Sequence, residues 1–264
     1  MDPIKFPGLG LEFIVDPVAF SVFGWPVHWY GIIISTGFLL AMLFVLKEAE
    51  RVGVNPEIMI DVALFGTPAA IVGARLYYVA FQWQQYKDNP ASIIAIWEGG
   101  LAIYGAIIAA LISTVIYCKI KKINIWRIFD IGCMGLLIGQ SIGRWGNFVN
   151  REAFGRETNF LWRMNIYVSE AEKRMDVHPT FLYESLWNAI GFLILFFYRK
   201  RKRYDGEIFL LYAFWYGLGR FWVEGLRTDS LMLGPLRISQ IVALISMLVC
   251  VVLWVYFRKK KAKA

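Results

Sequence analysis

Ile128-Phe129-Asp130-Ile131-Gly132-Cys133-Met134-Gly135-Leu136-Leu137-Ile138-Gly139-Gln140-Ser141-Ile142-Gly143-Arg144-Trp145-Gly146-Asn147-Phe148-Val149-Asn150-Arg151-Glu152-Ala153-Phe154-Gly155 is the stretch from which the architecture is read. Its first half, to Ile142, is apolar and glycine-spaced, as a helix in lipid is. Its second half sets Arg144, Asn147, Asn150 and Glu152 where that helix leaves lipid. A guanidinium, two amides and a carboxylate are costly at a membrane boundary unless they bind something there. Arginine suits a phosphate because its planar fork gives charge and paired donors together. At this depth the candidate phosphate is that of a lipid headgroup.

Composition agrees with a bilayer as solvent. Of 264 residues, 58% are hydrophobic and only 18% charged, and the mean hydropathy is +0.51. A soluble domain of this size has too little interior to cover so much apolar surface. Aromatic residues make up 17%, with 11 Trp and 13 Tyr, which fits interfacial belts. The net charge of +8 comes from short basic runs between apolar segments. That placement reads as membrane topology and contact with anionic lipid, and excludes a nucleic-acid partner. Cys118, Cys133 and Cys250 fall in or at apolar segments without CxxC or Cys/His spacing, so they read as small hydrophobes. No removable signal peptide is evident at Met1-Asp2-Pro3-Ile4-Lys5, so the first apolar segment is expected to remain.

Seven apolar segments approach the ~20 residues that cross a ~30 Å core; they lie near 28–46, 59–82, 101–118, 128–143, 180–198, 207–224 and 238–257. The expected fold is therefore an all-α polytopic membrane protein, one domain over 1–264, with seven transmembrane helices. A small extracytoplasmic cap comes mainly from 1–27 and 144–179. Loops 47–58, 119–127 and 199–206 and the C-terminal tail carry 16 of the 28 Lys and Arg, against 10 on the opposite face. The runs Arg199–Arg203 and Arg258–Lys261 put the C-terminus in the cytoplasm and the N-terminus outside. Loop 144–179 holds six basic residues on the outer face, where few are expected, so local partners are expected for some of them. The segment Asp16–Trp25 reads as an extended or re-entrant piece on that face.

Each constellation has a structural reading beside the functional one. Helix capping explains Gly146 and Arg144, but not two further amides and a carboxylate in a row. Gly132, Gly135, Gly139 and Gly143 are explained by close helix packing. Tyr216, Arg220 and Glu224 recur at i, i+4 and i+8, one stripe of the sixth helix, with Arg227 just beyond. An Arg220–Glu224 ion pair explains part of that stripe. Two arginines, Arg144 and Arg220, meeting at one depth from different helices make a phosphate clamp. Pro179 and Glu184 suit the start of the fifth helix, and His178 is left without a role. Tyr30 reads as an interfacial aromatic. Arg75 needs an internal partner, for which Asp61 or Asp130 is the candidate. The glycines of Trp97–Gly105 permit close backbone approach.

Taken together, these segments resemble the bacterial prolipoprotein diacylglyceryl transferase family. Gly143–Gly155 matches its signature in type and spacing. Asp16-Pro17, Trp29-Tyr30-Gly31, Glu98-Gly99-Gly100, His178-Pro179 with Tyr183-Glu184, and Tyr216, Arg220, Glu224 and Arg227 follow in the family's order. The resemblance covers essentially the whole chain. It implies a multi-pass enzyme of the bacterial plasma membrane, with its site toward the outer leaflet and no metal or organic cofactor. The implied reaction moves the diacylglyceryl group of phosphatidylglycerol to the thiol of the lipobox cysteine in a prolipoprotein signal peptide. Arg144 and Arg220 would stabilise charge on the departing phosphate. Asn147, Asn150 and Tyr30 are candidates to orient headgroup hydroxyls, and Tyr216 and Arg227 to bind substrate. Glu152 and Glu224 would hold the arginines or accept protons, and Gly155 is a backbone requirement.

One position departs from the pattern. Many relatives carry histidine in Gly-Gly-x-x-x-His-Gly, offered there as the base for the thiol; here it is Tyr104. With a pKa of ~10, tyrosine is a poor base near neutrality. Either Tyr104 only hydrogen-bonds the headgroup, a carboxylate takes the proton, or the thiol ionises without a dedicated base; the last is favoured, with Tyr104 positioning. A non-catalytic phospholipid-binding or lipid transport protein is the alternative. Against it, there is no internal repeat, and the polar residues gather on one face. An intramembrane protease would need a Ser/His pair or paired intramembrane aspartates.

Overall fold

Apolar runs become helices because only a helix satisfies its own backbone in lipid. The computed structural model describes residues 2–168, 171–228, 232–234 and 236–262, and its long helices are α1 (Trp29–Arg51), α2 (Pro56–Phe81), α3 (Ile103–Ile120), α4 (Ile125–Asn150), α5 (Thr180–Tyr198), α6 (Glu207–Glu224) and α7 (Ile238–Ala262). Among the described residues, six helices are long and apolar enough to cross a membrane. The helix outside that set is α6, which carries Glu207, Arg220 and Glu224 within 18 residues.

Several helices outrun their apolar segments, and polar contacts at their ends account for it. In α2 the Asn55 side chain accepts from the Glu57 N–H at 3.0 Å, with Pro56 in the first turn, so the helix starts at 56 instead of 59. In α1 the Arg51 guanidinium donates to Glu48 at 2.8 Å, one turn apart, past the expected end near 46. The last turn of α7 holds Lys259, Lys260 and Lys261, favourably placed at the negative end of a helix.

The chain divides into two compact units, Met1–Phe44 with Gly132–Ala264, and Val45–Ile131. In the second unit, α2 and α3 approach through glycines. A Cβ on Gly73 would lie 2.7 Å from the Gly105 carbonyl oxygen, and one on Gly105 would lie 2.3 Å from that of Gly73. Arg75 is buried there, but its partners are not the expected carboxylates. It donates to the carbonyls of Ser92, Ile93, Gly99 and Gly100 at 2.7–3.1 Å. A loop whose carbonyls turn inward supplies acceptors for four of the five N–H donors of a guanidinium. Asp61 instead accepts from the Tyr117 hydroxyl at 2.5 Å.

The first unit contains the principal departure from an all-α fold. Its cap is a four-stranded antiparallel sheet in the order β2-β1-β5-β6, built from β1 (Ile4–Phe6), β2 (Leu11–Phe13), β5 (Met164–Val168) and β6 (Lys173–Val177). The segment expected to be extended or re-entrant is a hairpin, β3 (Val18–Val22) and β4 (Trp25–His28), turned at Phe23 and Gly24, both with positive φ.

Cap and helices share one core. Ile4, Phe6, Met164, Ile166 and Val177 from the sheet pack with Phe148 and Val149 of α4 and Phe181 of α5. This core explains why α4 runs seven residues beyond its expected end at 143. Its last two turns bury Phe148 and Val149 under the sheet, and Gly143 and Gly146 lie inside the helix, not at its cap. The glycine stripe is not uniform packing either: a Cβ on Gly132 or Gly139 would meet open space.

Below the cap, α4, α5 and α6 are fastened by reciprocal bonds. The Ser141 hydroxyl donates to the Ser185 carbonyl at 2.9 Å, and the Ser185 hydroxyl to that of Ser141 at 2.8 Å. Trp187 of α5 and Trp215 of α6 stack at 4.2 Å, each indole N–H donating to the other's carbonyl at 3.0 Å. Gly219 faces the Trp187 ring and Gly191 the Trp215 ring.

Candidate active site

The Ser141–Ser185 exchange sets the register of α4 against α5. One residue before Ser185 stands Glu184, and three after Ser141 stands Arg144. Their side chains form a close ion pair between Arg144 Nη2 and Glu184 Oε2. The other oxygen of Glu184 lies 3.6 Å from Arg220 Nη1 and 3.8 Å from Arg227 Nη1. One turn further along α6, Glu224 Oε2 pairs with Arg220 Nη2 at 2.6 Å. Both carboxylates are buried, at 7% and 2% exposure. Three guanidiniums thus converge on two acids, leaving a cationic excess. Breaking a buried pair strands the remaining charge, so the group holds its geometry.

The arms of this group extend toward the cap. Arg144 Nη1 reaches Asn147 Oδ1 at 3.5 Å, and the Asn147 amide donates to Glu152 Oε1 at 2.8 Å. Glu152 therefore holds an amide and not, as the sequence suggested, an arginine; α4 ends at Asn150, and Arg151 and Ala153, both with positive φ, turn the chain there. Arg227 is set from its backbone: its carbonyl accepts from Arg237 Nη1 at 2.9 Å, and it bridges Gly155 in an isolated β-pair. Gly155 is a backbone requirement. Its N–H donates to the His178 carbonyl at 2.9 Å, and an added Cβ would lie 2.8 Å from the His178 Cβ and 3.0 Å from the Leu226 oxygen.

Tyr30, at the start of α1, lies flat over Gly146, whose missing side chain makes the room. A Cβ there would fall 2.7 Å from Tyr30 Cδ2. Tyr216 stacks on Tyr212 at 6.0 Å and, with Glu184 and Arg220, lines a crevice that also touches Trp187. Asn150 is placed differently. It faces a cleft of about 1100 Å3 in the cap, also lined by Glu152 and Gly155, and its side chain makes no hydrogen bond among the described residues. Tyr104 sits in the first turn of α3, in the other unit.

The sequence left His178 without a role and gave Glu184 only a dipole role. His178 Nδ1 lies 3.0 Å from the Tyr183 hydroxyl, which also accepts from the Trp162 indole at 3.1 Å. Burial, aided by the nearby Arg156 charge, pushes the His178 pKa below its ordinary value. Glu184 was discoverable: three arginines gathered at one end of the helices require an acid among them, and Glu184 is a carboxylate inside an apolar span.

Chemically, the arrangement suits a phosphate whose negative charge increases during reaction. Fixed donors in a dry setting favour the more highly charged state, the form of stabilisation that accelerates a step. Comparisons with known proteins point the same way. The sequence model of the prolipoprotein diacylglyceryl transferase family matches residues 17–256. A phosphatidylglycerol–prolipoprotein diacylglyceryl transferase of Listeria innocua is 44% identical over 252 residues, covering 93% of this chain and 91% of its own. Proteins of the same name from Bacillus cytotoxicus and Bacillus cereus are each 44% identical over 256 residues, covering 95% of this chain and 94% of theirs.

Proposed function

This chain belongs to the prolipoprotein diacylglyceryl transferase family, and from that premise we propose that it moves the sn-1,2-diacylglyceryl group of phosphatidylglycerol to the thiol of the lipobox cysteine of prolipoproteins. It is a multi-pass membrane transferase. The observation that carries the reading is the convergence of Arg144, Arg220 and Arg227 on the buried Glu184.

In the reaction the cysteine thiolate attacks the diacylglycerol carbon bonded to phosphate. The C–S bond forms as the C–O bond breaks, and the electron pair leaves with oxygen. The phosphodiester, with one negative charge, departs as glycerol phosphate, with more. Arg144 and Arg220 stabilise that added charge, held in place by Glu184 and Glu224. The same cationic surroundings lower the thiol pKa from ~8.5, raise the thiolate fraction and release the proton to solvent. Arg227 and Tyr216 border the phosphate, and Asn147 and Tyr30 orient headgroup hydroxyls. Tyr104 positions substrate and is not the base.

Seven spans complete the topology, with α6 as the seventh; Arg220 and Glu224, which keep it out of the apolar set, belong to the site. The basic tail of α7 then lies in the cytoplasm, while the cap and the arginines face the outer leaflet. The chain acts as one domain over 1–264.

The test is transfer by purified protein in liposomes, with phosphatidylglycerol labelled on glycerol and acyl chain, and a lipobox peptide in Cys and Ser forms. The expected result is a diacylglycerol mass gain on the Cys form only, with labelled glycerol phosphate released. Lipid bound or moved without covalent transfer, in protein shown to be folded, would contradict it.

A further inference from the structure

The cap cleft beside this site is about 1100 Å3, above the range that small ligands occupy. One wall is the Asn150–Glu157 segment, and the other is formed by β5 and β6. Its surfaces are mixed: Phe154 and Tyr167 are apolar, whereas Arg151, Arg156, Glu157 and Asp2 bear charge of both signs. Tyr167 is 41% exposed. The Arg156 guanidinium and the Asn150 side-chain amide carry no hydrogen bond or ion pair among the described residues. Polar groups without partners beside apolar side chains, on a folded sheet, are the makings of a recognition site.

Two links join this cleft to the ion group. Glu152 in its wall is bonded to Asn147, which Arg144 contacts, and Gly155 is paired with Arg227. An acceptor whose cysteine reaches the arginines must continue outward from them, and the cleft begins there. The lining sets three acids, Asp2, Glu152 and Glu157, against two bases, Arg151 and Arg156, so it has no cationic excess to draw an anionic lipid. Charge of both signs beside apolar side chains suits an extended polypeptide, whose backbone offers donors and acceptors in turn.

We propose that this cap cleft receives the segment of the acceptor polypeptide that follows its modified cysteine, with Arg156 and Asn150 holding its backbone carbonyls and Tyr167 its side chains. The proposal rests on the transferase reading above. It gives the cap a role in acceptor recognition separate from the lipid chemistry.

The test uses two synthetic acceptors, one ending one residue after the cysteine and one extended by eight residues with benzoylphenylalanine in the extension. The extended acceptor is expected to have the lower KM and to cross-link on irradiation to peptides from 150–157 or 164–177. Arg156→Glu and Tyr167→Ala should each raise its KM by about tenfold. The same variants should leave kcat, the KM for phosphatidylglycerol and the KM for the short acceptor unchanged. Equal KM values for the two acceptors in the unaltered protein, equal effects of the variants on both, or cross-links confined to other segments would overturn the proposal. Turnover of the short acceptor is the separate check on the transferase reading, and cross-linking reports on the cleft even without turnover.

Discussion

Arg144 on α4 and Glu184 on α5 form an ion pair in which the acid is 7% exposed, and the same acid lies within 4 Å of two more arginines. Glu184 is therefore the organiser of the group, not a helix-dipole residue. Removing its charge while keeping its shape leaves three guanidiniums to repel one another.

Glu184→Gln should lower kcat by about 10²-fold, the scale of losing fixed charge stabilisation at a reacting centre. Glu184→Asp, which keeps the charge on a shorter arm, should recover part of that loss. Turnover measured beside a melting curve in detergent separates this from unfolding; undiminished turnover in the Gln variant would contradict the assignment.

Gly155→Ala forces a Cβ to within 3.0 Å of two neighbours, one of them the Leu226 backbone oxygen. The expected cost is about 1–3 kcal/mol of overpacking. Because Gly155 pairs with Arg227, turnover should fall along with the melting temperature.

Gly191→Ala and Gly219→Ala each place a Cβ 2.3 Å from a tryptophan of the Trp187–Trp215 stack. Either substitution should lower thermal stability by spreading α5 from α6. The two act on one stacked pair, so their effects should not add. Additive losses would show that the two contacts are independent.

Burial lowers the His178 pKa, so the native state binds fewer protons there than the unfolded chain. Stability from this residue is full above the ordinary value of ~6.5 and is lost as pH falls through the lowered native pKa. Melting temperatures should drop more steeply below pH ~6.5 in the unaltered protein than in His178→Asn. Identical pH profiles would remove His178 from the account.

Tyr104→Phe should keep turnover within about tenfold, as befits lost positioning and not a lost base, for which about 10²–10⁴-fold is usual. A larger loss, with a changed pH–rate profile, would assign Tyr104 to proton transfer.

The helices were legible because bilayer crossing demands long apolar runs, and every expected span contains a helix. Their ends were not, since Asn55, Arg51 and the core around Phe148 act outside the apolar pattern. The sheet was hidden for a different reason. β1 and β5 pair through Lys5 and Asn165, 160 positions apart, and their strands are too short to show alternation. Arg144, Arg220 and Glu224 were legible as charges with no reason to lie in lipid. Glu184 was read as an ordinary first-turn acid because its three partners come from three separate segments. Arg75 misled in the opposite direction: backbone carbonyls, which no side-chain search reveals, are its acceptors.

The most direct test of the central claim is the rate of glycerol phosphate release by Arg144→Lys and Arg220→Lys, at equal amounts of folded protein in phosphatidylglycerol liposomes. Lysine keeps the charge and loses the fork. The account predicts that each variant loses about 10²-fold or more in kcat, with a far smaller change in KM for the lipid. Near-full turnover in either variant would contradict a paired arginine clamp on the departing phosphate.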